Sequence, residues 1–252
     1  MLEAIVLAGG PNEGLLQECS TAPKEALIPI AGRHMVEYVL RALEETEAVA
    51  SIVVVGISRE DLKYQSTKPV RWVPGGRDLL TSMEQGLHEA RGERVLLVTG
   101  DIPLINPSII ESFLEQCGDG RADLYYPVVS REDSESRFPG VVRTYAIFRE
   151  GHYTGGNIFL VNPAVVSRWR DKLGRGTELR KSPWKLCRLL GLGFLVKYLC
   201  RSLSLRELET KAMQMFSLDA KIVVTHHPEI GVDVDKPGDL RLVEAALSEM
   251  SH

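Results

Sequence analysis

The chain has 252 residues and a formal net charge of -4 at pH 7, and 44% of its residues are hydrophobic. This length is enough for one large α/β domain, or for one domain that carries an insertion. The acidic balance argues against a nucleic-acid-binding surface, because such domains carry an excess of basic residues on one face. Four cysteines without C-x-x-C spacing indicate thiols in a reducing compartment. Since the sequence enters an apolar strand without a basic leader, we expect a cytoplasmic protein.

Strand-like and helical patterns alternate through the first half of the chain. Short apolar runs predict strands at Ala4–Ala8, Ile52–Ile57, Val70–Val73, Arg94–Thr99 and Leu124–Val129. Apolar residues at helical spacing predict helices after Gly32, from Leu79 to Ala90, and from the cap residue Asn106 onward. This alternation predicts the α/β class, with a mostly parallel sheet that is covered by helices on both faces.

The next part of the chain is more polar and less regular. Arg131–Arg137 predicts a loop because all of its residues are polar. Two strands are expected at Val141–Arg149 and Asn157–Val161, around a turn at Tyr153–Gly156. These strands would extend the sheet with an antiparallel member.

From residue 163 to about residue 219 the pattern is helical. Its start signals are Ser182-Pro183 and a capping box at Ser204–Glu207. The chain then returns to a strand at Lys221–Thr225 and closes with a helix at Lys236–Met250.

The most apolar stretch of the chain is Leu186–Leu199. It is too short and too charged to span a bilayer, which needs about 20 apolar residues. We expect it to form a core or dimer-forming helix. Because basic residues flank it, the alternative is that residues 183–200 lie on a membrane surface and meet a lipid-like substrate.

The first predicted strand ends in the glycine loop Leu7-Ala8-Gly9-Gly10, and Pro23-Lys24 follows a few residues later. Glycines leave backbone N–H groups uncovered, so they are free to donate to the oxygens of a phosphate chain, and Lys24 adds a neutralising charge. The alternative is a tight turn, which is the commonest role of Gly-Gly after a strand.

Two acidic positions suit a hard cation. Asp101 comes directly after an apolar strand, and ligands of open parallel sheets collect beyond the carboxyl ends of the strands. Asp233 and Asp235 alternate along an extended segment, so both are expected on one side of it. Asp233 is the favoured second metal ligand, because Asp235 also suits a cap for the helix that Pro237 starts. The alternative for Asp101 is a turn residue.

A second glycine pair, Gly75-Gly76, follows another predicted strand and precedes a helix. Such a loop can wrap a flat ring with backbone hydrogen bonds, and Ser82 can reach the edge of a base or a ribose. The alternative is a plain turn between strand and helix, with Ser82 in solvent.

Together these segments resemble the MobA-like nucleotidyltransferases, a group that includes molybdenum-cofactor guanylyltransferases and resembles methylerythritol-phosphate cytidylyltransferases. The resemblance covers about residues 1–163 and 220–250. It implies a Rossmann-like three-layer α/β/α fold of the nucleotide-diphospho-sugar transferase type with a mostly parallel, mixed sheet. It further implies a nucleoside triphosphate as donor and Mg²⁺ (or Mn²⁺) as cofactor. The whole chain would be one domain with a helical insertion at about residues 164–219, which we expect to shape acceptor specificity or form a homodimer contact.

The implied reaction is attack by an acceptor phosphate on the α-phosphorus of the triphosphate, with release of pyrophosphate. Lys24 and Asp101 would be the catalytic residues. The residues implied to bind the nucleotide are Leu7, Ala8, Gly9, Gly10, Lys24, Gly75, Gly76, Ser82 and Gly100. Those implied to bind the acceptor are Gly156, Asn157, Arg137 and Arg143. Asp101, Asp233 and Asp235 are the implied metal residues.

One departure from the family pattern concerns the glycine loop. Family members usually carry an Arg shortly after this loop, but Pro11–Ser20 contains no basic residue. Either another cation such as Arg33 or Arg77 replaces it, or activity is weakened. Two alternatives therefore stay open: a glycosyltransferase of similar fold that uses a nucleotide sugar, and a nucleotide-binding regulator without catalysis. The residues do not identify the nucleotide or the acceptor.

Overall fold

The computed structural model describes residues 1–141, 143–165 and 192–250. Its strands are β1 (Leu2–Leu7), β2 (Pro29–Ile30), β3 (Arg33–His34), β4 (Val49–Val55), β5 (Val70–Val73), β6 (Val95–Thr99), β7 (Leu124–Ser130), β8 (Ala146–Phe148), β9 (Gly151–Gly155), β10 (Ile158–Val161) and β11 (Ala220–Thr225). Its α-helices are α1 (Met35–Glu45), α2 (Leu79–Glu89), α3 (Pro107–Gln116), α4 (Arg131–Arg137), α5 (Leu192–Leu199), α6 (Leu205–Phe216) and α7 (Pro237–Met250).

The main sheet has the order β5-β4-β1-β6-β10-β7-β9-β8, and β11 pairs with β7. β1 lies between β4 and β6 and is parallel to both, whereas β10 is antiparallel to β6 and β7. β9 and β10 follow one another along one side of β7, and β11 runs parallel to β7 on its other side. The predicted antiparallel extension of a mostly parallel sheet is therefore confirmed.

Both faces of the central strands are buried. Ala4 and Val6 of β1 pack into a cluster with the apolar face of α1, whereas Ile5 packs into a second cluster with Leu87 of α2. Because alternate side chains of a strand point to opposite faces, both sets have to be apolar here, as they are from Ala4 to Leu7. Glu3, near the start of β1, is buried and pairs with Arg71. The central position of β1 places its carboxyl end, and the loop that follows it, in the middle of one edge of the sheet.

The predicted helix starts are confirmed where the structure describes them. The side chain of Asn106 caps α3 by accepting a hydrogen bond from the Ile109 N–H at 3.1 Å. Ser204 and Glu207 form the capping box of α6. The predicted start at Ser182-Pro183 lies outside the described residues.

Three predictions for the middle of the chain differ from the structure. Arg131–Arg137 is the helix α4, because Ser130 caps it and its first-turn acids and last-turn Arg137 suit the helix dipole. The predicted turn at Tyr153–Gly156 belongs mostly to β9, which pairs with β7 and β8. Of the strand that was predicted at Val141–Arg149, only Ala146–Phe148 is a strand, β8.

Among the described residues, no helix combines the length and the apolar character that a bilayer crossing requires. Residues 183–200, for which membrane-surface contact is the alternative to a core or dimer-forming helix, lie within the described part only from residue 192 onward. There, α5 exposes the apolar side chains of Val196, Tyr198 and Leu199.

Candidate functional site

A cavity of about 480 Å³ opens at the carboxyl ends of β1 and β6. Of the predicted site residues, ten line it: Leu7, Ala8, Gly9, Gly10, Lys24, Gly76, Ser82, Gly100, Asp101 and Asn157. They come from four separate parts of the chain, and the sheet brings them to one place. This is the edge of an open α/β sheet where ligands are expected to bind.

Three glycines pack against each other beside this cavity. A Cβ atom added to Gly9 would lie 3.1 Å from the Cα of Gly56, and one added to Gly75 would lie 3.0 Å from the same atom. Gly56 also has a φ of +102°, and its own Cβ would lie 2.2 Å from the Cα of Gly9. The loops after β1, β4 and β5 therefore touch through bare backbone. Gly56 was not predicted from the sequence, although it directly follows β4 as Gly9 closely follows β1.

The substitution Gly56→Ala is expected to destabilise the protein by roughly 3 kcal/mol, because it combines backbone strain with an overlap against a neighbouring backbone. Denaturant unfolding measures the change. Gly14→Ala is the matched control, since a Cβ there meets nothing within 4 Å. Equal stability of the two variants would show that the glycine contact is not required.

Lys24 is held against the glycine loop. Its Nζ donates a hydrogen bond to the Gly9 carbonyl at 3.0 Å, and the next residue, Glu25, donates its backbone N–H to the Gly10 carbonyl at 3.0 Å. Asn12 ties the loop further by donating to the Ser20 and Ala22 carbonyls. An ammonium has three donors, so Lys24 keeps two for an anion in the cavity.

The start of α2 forms another wall of the cavity. The Gly76 N–H donates to the Ser82 Oγ at 3.0 Å, which leaves the Ser82 hydroxyl hydrogen free to donate elsewhere. Asp78 caps the helix by accepting hydrogen bonds from the N–H and the hydroxyl of Thr81, and these bonds lower the pKa of Asp78. A Cβ on Gly76 would lie 2.4 Å from the Cβ of Thr81, so the loop fits only a glycine there.

Asp101 stands at the end of β6 and is joined to the distant segment near residue 234. The Val234 N–H donates to the backbone carbonyl of Asp101 at 3.0 Å, and the Thr99 hydroxyl donates to its carboxylate. Burial raises the pKa of Asp101, and the negative charge of Asp235 raises it further. Thr99, like Gly56, was not predicted from the sequence.

Glu25 also lines the cavity and was missed. Its pKa is raised by burial first, and then by the charges of Asp235 and Asp101. Three carboxylates therefore act on one another at this edge of the sheet. Their mutual repulsion is relieved when a cation binds among them. A Lys-Glu pair directly after Pro23 is the sequence signal that identifies this position.

Asp233 and Asp235, which were expected on one side of an extended segment, have different partners in the structure. The carboxylate of Asp233 pairs with the guanidinium of Arg143, whose Nη2 also donates to the Asp233 carbonyl at 2.9 Å. Asp235 is exposed, and its negative charge raises the pKa values of Asp101 and Glu25. Residues 232–236 form no regular strand, but burial still alternates along them: Val232 and Val234 are buried, whereas Asp233 and Asp235 are more exposed.

The expected cap by Asp235 takes a different form. The Asp235 N–H donates to the buried carboxylate of Asp239 at 3.2 Å, so the first-turn acid binds the backbone that leads into α7. This arrangement leaves the carboxylate of Asp235 exposed toward solvent.

Asp101 and Asp235 suit a divalent cation that is shared with a phosphate. Within the described ranges, no group of three His, Cys, Asp or Glu residues forms a complete protein site for a metal. Mg²⁺ keeps several waters and is usually bound through one or two carboxylates plus substrate phosphates, and the two carboxylates supply this number. The donor set is oxygen only, which also suits Mn²⁺.

The predicted acceptor residues separate into two groups. Asn157 lines the cavity and donates its N–H to the Ile230 carbonyl at 3.0 Å, while Gly156 packs against Ile230 and Pro127. Arg137 lies outside the cavity lining and pairs with Glu229 at 3.2 Å. Arg143 is partly buried, with 13% of its side chain exposed, and lies near enough to Asp101 to lower its pKa.

Residues 4–186 match the sequence profile of the MobA-like NTP transferase domain. The chain belongs to this family. A solved structure described as a hypothetical transferase from Thermus thermophilus superposes on this MobA-like chain with a TM-score of 0.83. It is 38% identical and the match covers 95% of this chain and 99% of that one.

Other relatives of this MobA-like chain are more distant. It is 29% identical over 121 residues to the bifunctional protein GlmU of Alcanivorax borkumensis, and this match covers 47% of the chain and only 26% of that protein. The 4-diphosphocytidyl-2C-methyl-D-erythritol synthase of Anaerococcus prevotii has a TM-score of 0.61 at 15% identity, covering 98% of this chain and 96% of that one. It shares the nucleotide-diphospho-sugar transferase fold that the sequence predicted.

Proposed function

We propose that the protein is a Mg²⁺-dependent nucleotidyltransferase, which moves a nucleoside monophosphate from a triphosphate to a phosphorylated small-molecule acceptor and releases pyrophosphate. The observation that carries this proposal is the meeting of Gly9-Gly10, Lys24 and Asp101 in one cavity. A glycine loop and a fixed ammonium suit a phosphate chain, and a buried carboxylate at the same place suits its metal ion. The proposed location is the cytoplasm.

Residues at different places in the cavity would have different roles in the reaction. The N–H groups of the loop after β1 would bind the triphosphate, and Lys24 would neutralise charge on the α-phosphate as the attacking oxygen approaches. Gly75, Gly76 and Ser82 would receive the base. Fixed donors of this kind lower the barrier because they need no reorganisation during the reaction.

Asp101 and Asp235 would hold the metal, which supplies charge neutralisation and alignment of the reacting oxygens when it is bound. Asp233 would act differently, by keeping the guanidinium of Arg143 in place beside Asp101. Arg143 would then face the phosphate of the acceptor, with Asn157 at the edge of the same cavity. In this proposal Asp235, and not Asp233, is the second metal ligand beside Asp101.

The variants Asp235→Asn and Asp233→Asn separate these two roles. Asp235→Asn is expected to raise the Mg²⁺ concentration for half-maximal activity about tenfold while the stability stays unchanged, since the side chain is exposed. Asp233→Asn is expected to lower the free energy of unfolding by about 2 kcal/mol, because it removes the charged partner of the partly buried Arg143. Metal titrations and denaturant unfolding measure the two effects. The reverse pattern would restore Asp233 as the metal ligand.

Pyrophosphate release, measured with each common nucleoside triphosphate and a set of phosphorylated acceptors, tests the function. Acceptor-dependent release that requires Mg²⁺ supports the transferase. Release of a nucleoside diphosphate from a nucleotide sugar would favour the glycosyltransferase alternative. Binding of a triphosphate without turnover by any acceptor would favour the regulator. The Pro23-Lys24 segment beside the glycine loop favours the triphosphate.

A further inference from the structure

Two helices between β10 and β11 expose a large share of apolar side chains. Of the ten large hydrophobic side chains that are exposed in the described part of the chain, five lie on α5 and α6. Those on α5 are Val196, Tyr198 and Leu199, and Leu199 is 70% exposed. Single exposed apolar residues are ordinary, but a contiguous group of them marks a surface that interacts with another molecule or with a membrane.

The same part of the chain is strongly basic. Residues 179–206 contain seven Lys or Arg residues and no Asp or Glu, although the whole chain has a formal net charge of -4. Of these basic residues, the structure describes Lys197, Arg201 and Arg206, and all three are exposed. We define the α5 surface as Val196–Ser202, in which every residue is exposed. It combines apolar and basic side chains within two turns of chain.

The α5 surface is attached to the sheet by the turn that follows it. Leu203 and Ser204 in this turn are buried. The Leu203 carbonyl accepts a hydrogen bond from the Arg149 N–H at 2.8 Å, and the Leu205 N–H donates to the Glu150 carboxylate at 3.2 Å. Because residues 149 and 150 connect β8 to β9, the α5 surface lies beside this turn of the sheet and outside the cavity lining.

The acidic residues nearest to the α5 surface along the chain have other partners. Glu207 pairs with Lys197, and the carboxylate of Glu209 accepts a hydrogen bond from the backbone of β11 at 2.7 Å. No ion pair within the described residues joins Arg201 or Arg206 to an acid. Both guanidinium groups therefore keep their charge and their donors for an external anion.

Arg201 has a backbone conformation that favours glycine. Its φ is +55°, and it follows the end of α5, where the Ser202 N–H donates to the Lys197 carbonyl at 2.8 Å. Glycine is the commonest residue at such a helix end, because a side chain is strained there. An arginine in this place gives up some stability of the fold, and it puts a positive charge next to the exposed Leu199. This pattern indicates a role in binding.

We propose that the α5 surface binds the face of a lipid bilayer that contains anionic lipids. Val196 and Leu199 would enter the boundary between headgroups and acyl chains, and Arg201 and Arg206 would contact the lipid phosphates. The cytoplasmic leaflet carries anionic lipids, which agrees with the proposed location of the protein. The surface lies outside the cavity, so this proposal does not depend on the proposed function.

Two other partners fit the α5 surface less well. A nucleic acid would need the basic groups but not the exposed aliphatic ones, since most of its contacts with proteins are ion pairs and hydrogen bonds to phosphates. A second copy of the chain would bring two basic surfaces together, and like charges oppose such a contact. An anionic bilayer satisfies both the apolar and the basic side chains.

The experiment is flotation of the full chain with vesicles of phosphatidylcholine, either alone or mixed with phosphatidylglycerol. Wild type is expected to bind the mixed vesicles at least tenfold more tightly, and to be released as the salt concentration rises. Leu199→Gln is expected to weaken binding to the mixed vesicles about tenfold, and Arg201→Gly about fivefold. Leu15→Gln and Arg59→Gly are the matched controls at an exposed leucine and an exposed arginine elsewhere, and are expected to bind like wild type.

Thermal unfolding without lipid separates a loss of binding from a loss of folding. Arg201→Gly is expected to unfold at the same temperature as wild type or at a higher one, because glycine adopts a positive φ without strain. Arg201→Lys keeps both the charge and the strain, so it is expected to bind the mixed vesicles nearly as well as wild type. A stable Arg201→Gly variant that binds vesicles weakly would thus assign the loss to the missing charge.

Three results would overturn the proposal. The first is equal binding of wild type to both kinds of vesicle, or to neither. The second is equal binding of the mixed vesicles by wild type, Leu199→Gln and Arg201→Gly. The third is a wild-type dimer in analytical ultracentrifugation that Leu199→Gln dissociates, or binding of a DNA or RNA oligonucleotide that Arg201→Gly weakens, when no vesicle is bound. None of these measurements involves a nucleoside triphosphate, so a failure here leaves the proposed function unaffected.

Discussion

Replacing Asp101 with Asn is expected to reduce the rate of pyrophosphate release about a thousandfold while the fold is kept. The two side chains have the same shape, and the oxygen of Asn still accepts a hydrogen bond from the Thr99 hydroxyl. The negative charge that would hold the metal beside the α-phosphate is lost. Because burial and Asp235 disfavour a charged Asp101, the ligand-free variant is expected to unfold at the same temperature as wild type or at a higher one.

The control for this variant is Asp119→Asn, at an exposed carboxylate that pairs with Arg121 and does not line the cavity. Both proteins are assayed for pyrophosphate release over a range of Mg²⁺ concentrations, and thermal unfolding is recorded without ligands. A variant at position 101 that keeps the activity and the Mg²⁺ dependence of the control would rule out Asp101 as the metal ligand.

The parts of the fold that the sequence predicted correctly are those that depend on local patterns. The buried strand β1 has to be apolar on both faces, and α3 begins where an Asn cap precedes Pro107. The prediction failed for α4, because seven consecutive polar residues show no apolar stripe. That helix is fixed by its Ser130 cap and by its packing beside β7 and β9, and the packing is not visible in the sequence.

The same distinction between local patterns and long-range contacts applies to the site. That residues after strand ends, such as Gly9 and Asp101, line one cavity could be predicted, because a parallel sheet brings its carboxyl ends to one edge. The pairing of Arg143 with Asp233 joins residues that are 90 positions apart, so no local spacing indicates it. Gly56 was missed for a related reason, since its contact is with the backbone of another loop.

Replacing Lys24 with Met is expected to lower the maximal rate of pyrophosphate release about a hundredfold, which is the range for loss of one fixed charge-stabilising group. Met keeps the length and the apolar stem of Lys but has no ammonium, so the substitution removes the donor and little else. The loss is expected mainly in the rate, because charge on the α-phosphate grows during the reaction. Steady-state kinetics at saturating nucleotide separate this loss from weaker binding.

Lys63→Met is the matched control, because Lys63 is an exposed lysine that does not line the cavity. A loss confined to nucleotide affinity in Lys24→Met would place Lys24 in ground-state binding. A loss shared by both variants would point to a general effect of removing positive charge from an acidic protein. The expected result, a slow enzyme that still binds its nucleotide, requires that the ammonium tied to the Gly9 carbonyl also faces the reacting phosphate. The same lysine then serves the loop in the free protein and the α-phosphate during the reaction.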